Sequence, residues 1–271
     1  MKQSTKRRLV HLPLYAVLVA LAALVYFSAD WAEVGKNFFS PAGFGRPWEG
    51  DWGTWPDLVS TGLVNTIKYT AIAFAGGLAL AVVMALMRLS SLRPYRWLAT
   101  CFVEFFRSLP VIVVILTLAF GVPIAFQWSW PGGTVQAGLV ALILVGGSYM
   151  AETLRAGIQA VPKGQAEAAR SLGMSQGRTM ITVVLPQAFR IVIPPLTNEF
   201  VLLLKDTSLL YVAGMMIDQR ELATIANAMM VNGPTAGTST GLMQAAILYL
   251  VITIPLTQLV AWLERRQQRT R

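Results

Sequence analysis

Six charged residues stand in or beside stretches that are otherwise apolar: Glu104, Arg107, Glu152, Glu199, Lys205 and Asp206. A charge at membrane depth is costly, so such residues pair with one another, face an enclosed aqueous space or hold a charged solute. Glu104 and Arg107 are three apart, which places them on one face of a helix, and mutual neutralisation is their plainest role. Lys205 and Asp206 are adjacent and share no face, so each must find another partner. Asn65, Thr66 and Ser208 add hydroxyl and amide groups that can donate and accept. His11 is the only histidine and Cys101 the only cysteine, so no transition-metal site of the usual ligands can be assembled. Cys101 has no partner for an intramolecular disulfide and reads as a small core filler.

The elements that position these residues are membrane helices. Hydrophobic residues make up 55% of the 271, charged residues 13%, and the mean hydropathy is +0.57, which marks an integral membrane protein. A crossing needs roughly 20 apolar residues. Six spans are expected, at about 9–29, 58–87, 97–126, 134–154, 188–215 and 242–263. The basic start and apolar run mimic a secretory signal. The run is long enough to cross, however, and Phe27 spoils a small-residue cleavage pattern at Ala29, so a retained first helix is expected. Pro194 and Pro195 in the fifth span and Pro255 in the sixth remove backbone donors and predict kinks. Trp48, Trp52 and Trp55, between the first two spans, read as an interfacial belt, with contact to an external partner as the alternative.

A net charge of +9 could suggest nucleic acid, yet the bases sit at span ends. Lys2, Lys6, Arg7 and Arg8 precede the first span; Arg88, Arg93 and Arg96 follow the second. Arg155, Lys163, Arg170, Arg178 and Arg190 flank the connection from the fourth to the fifth, and Arg265, Arg266, Arg269 and Arg271 end the chain. With six spans all four clusters share a side, and the positive-inside bias places that side, with both termini, in the cytoplasm. No GxxxxGK[ST] phosphate loop occurs, so ATP-driven work would need a motor on another polypeptide. No internal repeat is visible, which disfavours secondary transporters built on inverted repeats.

One cytoplasmic segment has fixed spacing. In Gly164 to Pro186, Glu167-Ala168-Ala169 is followed four residues on by Gly173, and Leu185-Pro186 closes the run. An Ala-rich helix ended by Gly is ordinary helix chemistry. The full pattern nevertheless resembles the EAA loop of the membrane subunits of bacterial ABC importers, with Val183 where that family usually has Ile. Ala166, Ala168 and Ala169 would let a partner approach closely, Glu167 would meet a complementary base, and Gly173 would permit a turn that a residue with a Cβ resists.

Other segments extend the resemblance over nearly the whole chain after the first span. Asn65-Thr66, Glu104 to Pro110, Ala151-Glu152, Arg155 to Ile158, Val161 to Gln165 and Lys205 to Leu209 are similar to the polar amino acid uptake branch. Arg107-Ser108-Leu109-Pro110, Met87 to Ser91 and Asp206 to Val212 are similar to glutamate/aspartate permease subunits.

This resemblance implies an all-α membrane protein of about six helices, a type I ABC importer permease core of five plus an extra N-terminal helix. Residues 1–57 would hold the basic start, first helix and external loop, residues 58–263 the transmembrane domain with its coupling loop at 155–187, and 264–271 a basic tail. Gly164, Gln165, Ala166, Glu167, Ala168, Ala169, Ser171 and Gly173 would engage the ATPase. Asn65, Thr66, Glu104, Arg107, Glu152, Lys205, Asp206 and Ser208 would form the substrate site. A zwitterion needs donors for its carboxylate and acceptors for its ammonium, which this set contains, with Arg107 or Lys205 as counter-charge to an acidic side chain; Glu104 and Glu152 would suit a basic substrate equally well. Implied partners are two ATP-binding cassette ATPase subunits carrying ATP and magnesium, a second permease, the same or related, an extracytoplasmic solute-binding protein and membrane lipid. The expected location is the bacterial inner membrane, the expected cargo a polar amino acid, glutamate or aspartate foremost, and the chain itself is expected to be no enzyme. An ion-coupled secondary transporter using the carboxylates as relays, or a non-transporting scaffold, are the rival classes.

Overall fold

The computed structural model describes the backbone of residues 2–268 and the side chains of residues 15–266. The side chains of Lys2, Lys6, Arg7, Arg8 and His11, together with Arg269 and Arg271, lie outside the described set. Four helices are long and apolar enough to cross a membrane: α3 (Trp55–Leu89), α6 (Gly133–Gln159), α8 (Gln176–Ala213) and α10 (Thr240–Gln268). Two further crossings arise only if each of two bent pairs counts as one: α1 (Lys2–Ser28) with α2 (Trp31–Phe38) and its following turn, bent by 81°, and α4 (Arg93–Ser108) with α5 (Val111–Phe126), bent by 104°. The remaining helices are α7 (Lys163–Ser171) and α9 (Leu222–Val231).

The span expected at 97–126 is a broken one. Pro110 has no N–H to continue a helix and forces the residue before it out of the helical region; Leu109 accordingly sits at φ −97°, ψ 138°. Each half has 16 residues, about 24 Å at 1.5 Å per residue, which falls short of a crossing alone. Trp97, Leu98 and Phe105 on α4 are exposed, an apolar face for lipid. Cys101 on the same helix is also exposed, so it is not the core filler expected. Pro194, Pro195 and Pro255 lie inside helices that continue through them, α8 and α10.

The core gathers around α6, the most enclosed of the four long helices. Its small residues permit this: a Cβ added to Gly147 would lie 3.0 Å from the Gly77 carbonyl oxygen of α3, so the two backbones nearly touch. Tyr69, Ala73 and Ala81 of α3, Val114 and Ile115 of α5, Leu142, Val145 and Met150 of α6, and Val192 and Leu203 of α8 complete the cluster.

A buried polar latch ties the segment before α3 to the start of α10. Thr54 donates to Gln244 Oε1 at 2.7 Å, Gln244 Nε2 donates to the Gly43 carbonyl at 3.0 Å, Ser239 N–H donates to Asn37 Oδ1 at 2.9 Å, and Thr240 donates to the Asn37 carbonyl at 3.0 Å. These polar groups are satisfied within the chain. Trp48 and Trp52 in the same segment are exposed, while Trp55 packs edge-on against Phe44 at 5.6 Å. Along α1, the described side chains from Tyr15 to Phe27 present an exposed apolar surface, as a lipid-facing helix does.

Candidate functional site

Helix α7 follows Pro162, whose fixed φ suits a helix entrance, and ends in a Schellman closure. Gly173 N–H donates to the Arg170 carbonyl at 2.9 Å and Met174 N–H to the Ala169 carbonyl at 3.2 Å, with Gly173 at φ +84°. That left-handed conformation is the turn expected of Gly173. The alanines divide differently from expectation. Ala169 is buried and Ala166 packs against the cluster of Val161, Val184 and Ala188, so these two seat α7 on its own chain. Gly164, Gln165, Glu167, Ala168, Arg170, Ser171 and Leu172 form the exposed face, Leu172 at 85%. Leu172 adds an apolar side chain to this exposed face.

At the same end of the bundle, three helices meet in an ionic network. Arg88, at the end of α3, donates to Glu152 of α6 at 2.6 Å and reaches Glu104 of α4 at 3.5 Å. Glu152 also accepts from Arg155, at 3.1 Å from Nε and through a second, short contact from Nη2, while Arg155 Nη1 donates to Gln159 at 2.7 Å. The expected Glu104–Arg107 pair is present but loose, at 3.9 Å. Glu104 and Glu152 thus each face arginines, and neither lines the cavity described below. Arg88 and Arg155 were absent from the expected site; Arg88 lies 64 residues from Glu152, beyond any local spacing rule.

Asn65 and Thr66 also hold the fold. Asn65 Nδ2 donates to the carbonyls of Asp218 and Arg220, both at 3.0 Å; Thr66 Oγ1 donates to the Gly62 carbonyl at 2.9 Å and accepts from Leu222 N–H at 3.2 Å. Tyr69 adds a bond to the Gln219 carbonyl at 2.8 Å. One face of α3 therefore carries the backbone of residues 218–222, which leads into α9. Glu221, fully buried, caps α9: it accepts from Ala223 and Thr224 N–H, both at 2.7 Å, and from Tyr249 Oη at 3.1 Å. Burial pushes its carboxyl above the ordinary range against these donors, which hold it down. A Glu before the apolar run Leu222 to Val231 was the signal for this cap, and sequence reasoning passed over it.

A cavity of ≈ 320 Å³ between α5, α6 and α8 is lined by Tyr149, Glu199, Asp206 and apolar residues including Val111, Leu142 and Leu203. Of the eight residues expected to bind substrate, only Asp206 lines it. Arg107 reaches it indirectly: its guanidinium lies 5.3 Å from the centroid of the Tyr149 ring, Tyr149 Oη donates to its carbonyl at 3.2 Å, and its buried Nε has no hydrogen-bond partner. Lys205 is exposed and outside the lining, and Ser208 donates to the Lys205 carbonyl at 2.6 Å. Glu199, noticed in sequence only as a charge at depth, belongs to the cavity. Carboxylates with an arginine donor close by can hold an ammonium and a carboxylate together.

Comparisons with known proteins converge on one class. Residues 77–269 match the family described as binding-protein-dependent transport system inner membrane component. The chain is 40% identical over 210 residues to the probable glutamine ABC transporter permease protein GlnM of Bacillus subtilis (strain 168), covering 77% of this chain and 93% of that one. It is 36% identical over 211 residues to the glutamate/aspartate import permease protein GltK of Escherichia coli O6:H1, covering 76% and 91%. Among solved structures, a crystal structure of an amino acid ABC transporter with histidines aligns at TM-score 0.70 and 33% identity, over 79% of this chain and 95% of that one.

Proposed function

The chain belongs to the binding-protein-dependent transport system inner membrane components, as an amino-acid ABC importer permease of the type I fold, and from that premise we propose how it works. It is not an enzyme; ATP hydrolysis resides on separate subunits. Two such ATPases, holding ATP and magnesium, dock on α7 of this permease and of a second one, the same or related, through the face that carries Glu167 and Ala168. Residues 58–263 form the translocating domain, residues 1–57 an anchor with an external loop, and 264–271 a cytoplasmic tail. Both termini lie in the cytoplasm, where the basic clusters also fall. A solute-binding protein delivers the cargo to the opposite end of the bundle.

The cargo is a polar amino acid, glutamate or aspartate foremost. One observation supports an amino acid zwitterion, the buried, unpartnered Arg107 Nε beside a cavity that bears Glu199 and Asp206, while the preference for glutamate or aspartate rests on the likeness to the glutamate/aspartate relative. A buried donor without an acceptor is costly and is satisfied when a carboxylate arrives. The solute's ammonium then faces Glu199 and Asp206, and Arg107 takes a carboxylate. The ion-coupled reading keeps only Glu199 and Asp206 as relays, because Glu152 is held by Arg88 and Arg155.

The test is reconstitution with the cognate ATPase and binding protein, measuring uptake of acidic, amide and basic amino acids. Uptake of glutamate or aspartate, lowered about ten-fold or more by Glu199→Gln, is the expected result, since a charge-assisted hydrogen bond is worth about 1.5–3 kcal/mol. A response confined to basic amino acids would reject the proposed cargo.

A further inference from the structure

A second cavity, of ≈ 370 Å³, opens at the other end of the bundle, between the start of α3 and the segment 217–234. That size is within the range of about 300–1,000 Å³ typical of small-molecule sites. Its two charges are opposite in sign, Asp57 at the start of α3 and Arg220 before α9, and Thr61 and Asn232 add neutral polar groups over a floor that includes Ile225 and Met229. Neither Asp57 nor Arg220 forms an ion pair within 4.0 Å among the described residues. They line one cavity without meeting, which leaves room for a solute to bridge them.

We propose that this cavity is an outer amino-acid site, which takes the free zwitterion with its carboxylate on Arg220 and its ammonium on Asp57. The proposal rests on the amino-acid permease reading and adds a site to it, distinct from the cavity at Glu199 and Asp206. The chemistry is that of an α-amino acid: a carboxylate matches the planar donor fork of a guanidinium, and an ammonium matches a carboxylate. The solute's side chain would lie over Ile225 and Met229, within reach of Thr61 and Asn232. The wall of the site is not free to drift. Asn65 and Tyr69 hold the carbonyls of Asp218, Gln219 and Arg220, and Thr66 holds the N–H of Leu222. An amino acid between Arg220 and Asp57 would therefore clamp the segment before α9 to the start of α3. The site lies where a solute released outside meets the bundle first, which suits a staging post before the deeper cavity.

Equilibrium binding of radiolabelled glutamate, glutamine, cystine and arginine to the permease–ATPase complex in nanodiscs, without binding protein, tests this. The wild type is expected to hold two amino acids per permease. Asp57→Asn and Arg220→Gln should each weaken one of the two by about ten-fold or more, the scale of a lost charge-assisted hydrogen bond, while Asp57→Glu retains it. An independent measurement needs neither charge removed: an Asn232→Cys variant in a Cys101→Ala background should react more slowly with a charged thiol reagent when amino acid is present. One bound amino acid per permease, or thiol labelling of the Asn232→Cys variant that no amino acid slows, would overturn the outer site. So would variants that bind amino acids normally yet lose apparent affinity for the binding protein in uptake, because the cavity would then be a docking seat. A reconstituted wild type that transports no amino acid would overturn the permease proposal itself, whereas transport with a single site overturns only this one.

Discussion

At the scale of single residues, magnitude separates structural charges from functional ones. Glu152 serves two arginines, and Arg88 is only 11% exposed at its side chain, so Glu152→Ala strands partly buried cations. We expect it to destabilise the permease by about 1–3 kcal/mol, read as a lower melting temperature in detergent. Glu104 is 56% exposed and its contacts are 3.5 and 3.9 Å, so Glu104→Ala should cost less than about 1 kcal/mol in the same measurement. Equal shifts would refute this division of labour. The sequence made the Glu104–Arg107 pair legible because a helix puts residues three apart side by side. It could not reveal that Arg88 joins Glu152 from another helix, nor that both donors of Asn65 are consumed by carbonyls some 150 residues away, since long-range partners leave no local period.

Between elements, small residues decide how closely the helices approach and how they end. Gly77 and Gly147 bring the backbones of α3 and α6 nearly into contact, and Gly77→Leu would drive a side chain into Met150 and Gly147. A loss of about 1–3 kcal/mol is expected from such overpacking, measured by thermal unfolding; an unchanged midpoint would contradict the packing described. Gly173 ends α7 at φ +84° with open space around its would-be Cβ, so only the backbone conformation objects to a substitution. Gly173→Val should therefore leave the membrane bundle intact but fray the end of α7, weakening ATPase binding by about ten-fold, the equivalent of the roughly 1–2 kcal/mol left-handed penalty. Normal ATPase binding would show that the cap has no role in docking. Of these features, the Gly173 turn was readable from its spacing. The break at Pro110 was readable too, since Leu109-Pro110 stood in the expected third span, but a long uncharged run concealed it. Pro194, Pro195 and Pro255 do not end their helices, which continue through all three.

For the whole molecule, hydropathy and charge determined the class of fold, and the polar connections determine which end does what. The bundle has one end where α7 and the arginine network lie together, and another where the latch at Asn37, Thr54 and Gln244 fixes the external segment. The spacing from Glu167 to Gly173 made α7 visible in sequence; the latch was not, because it is assembled from isolated polar residues about 200 positions apart. The central claim is that force enters this permease through the exposed face of α7. Glu167→Lys reverses the one acidic charge on that face and, by placing like charges together, should cost several kcal/mol in docking while leaving the bundle's melting temperature unchanged. The decisive measurement is uptake together with binding-protein-stimulated ATP hydrolysis in proteoliposomes containing the complete transporter. With Glu167→Lys, uptake should fall by about ten-fold or more and stimulated hydrolysis should be lost or run without transport. Wild-type uptake with fully stimulated hydrolysis in that variant would contradict the account.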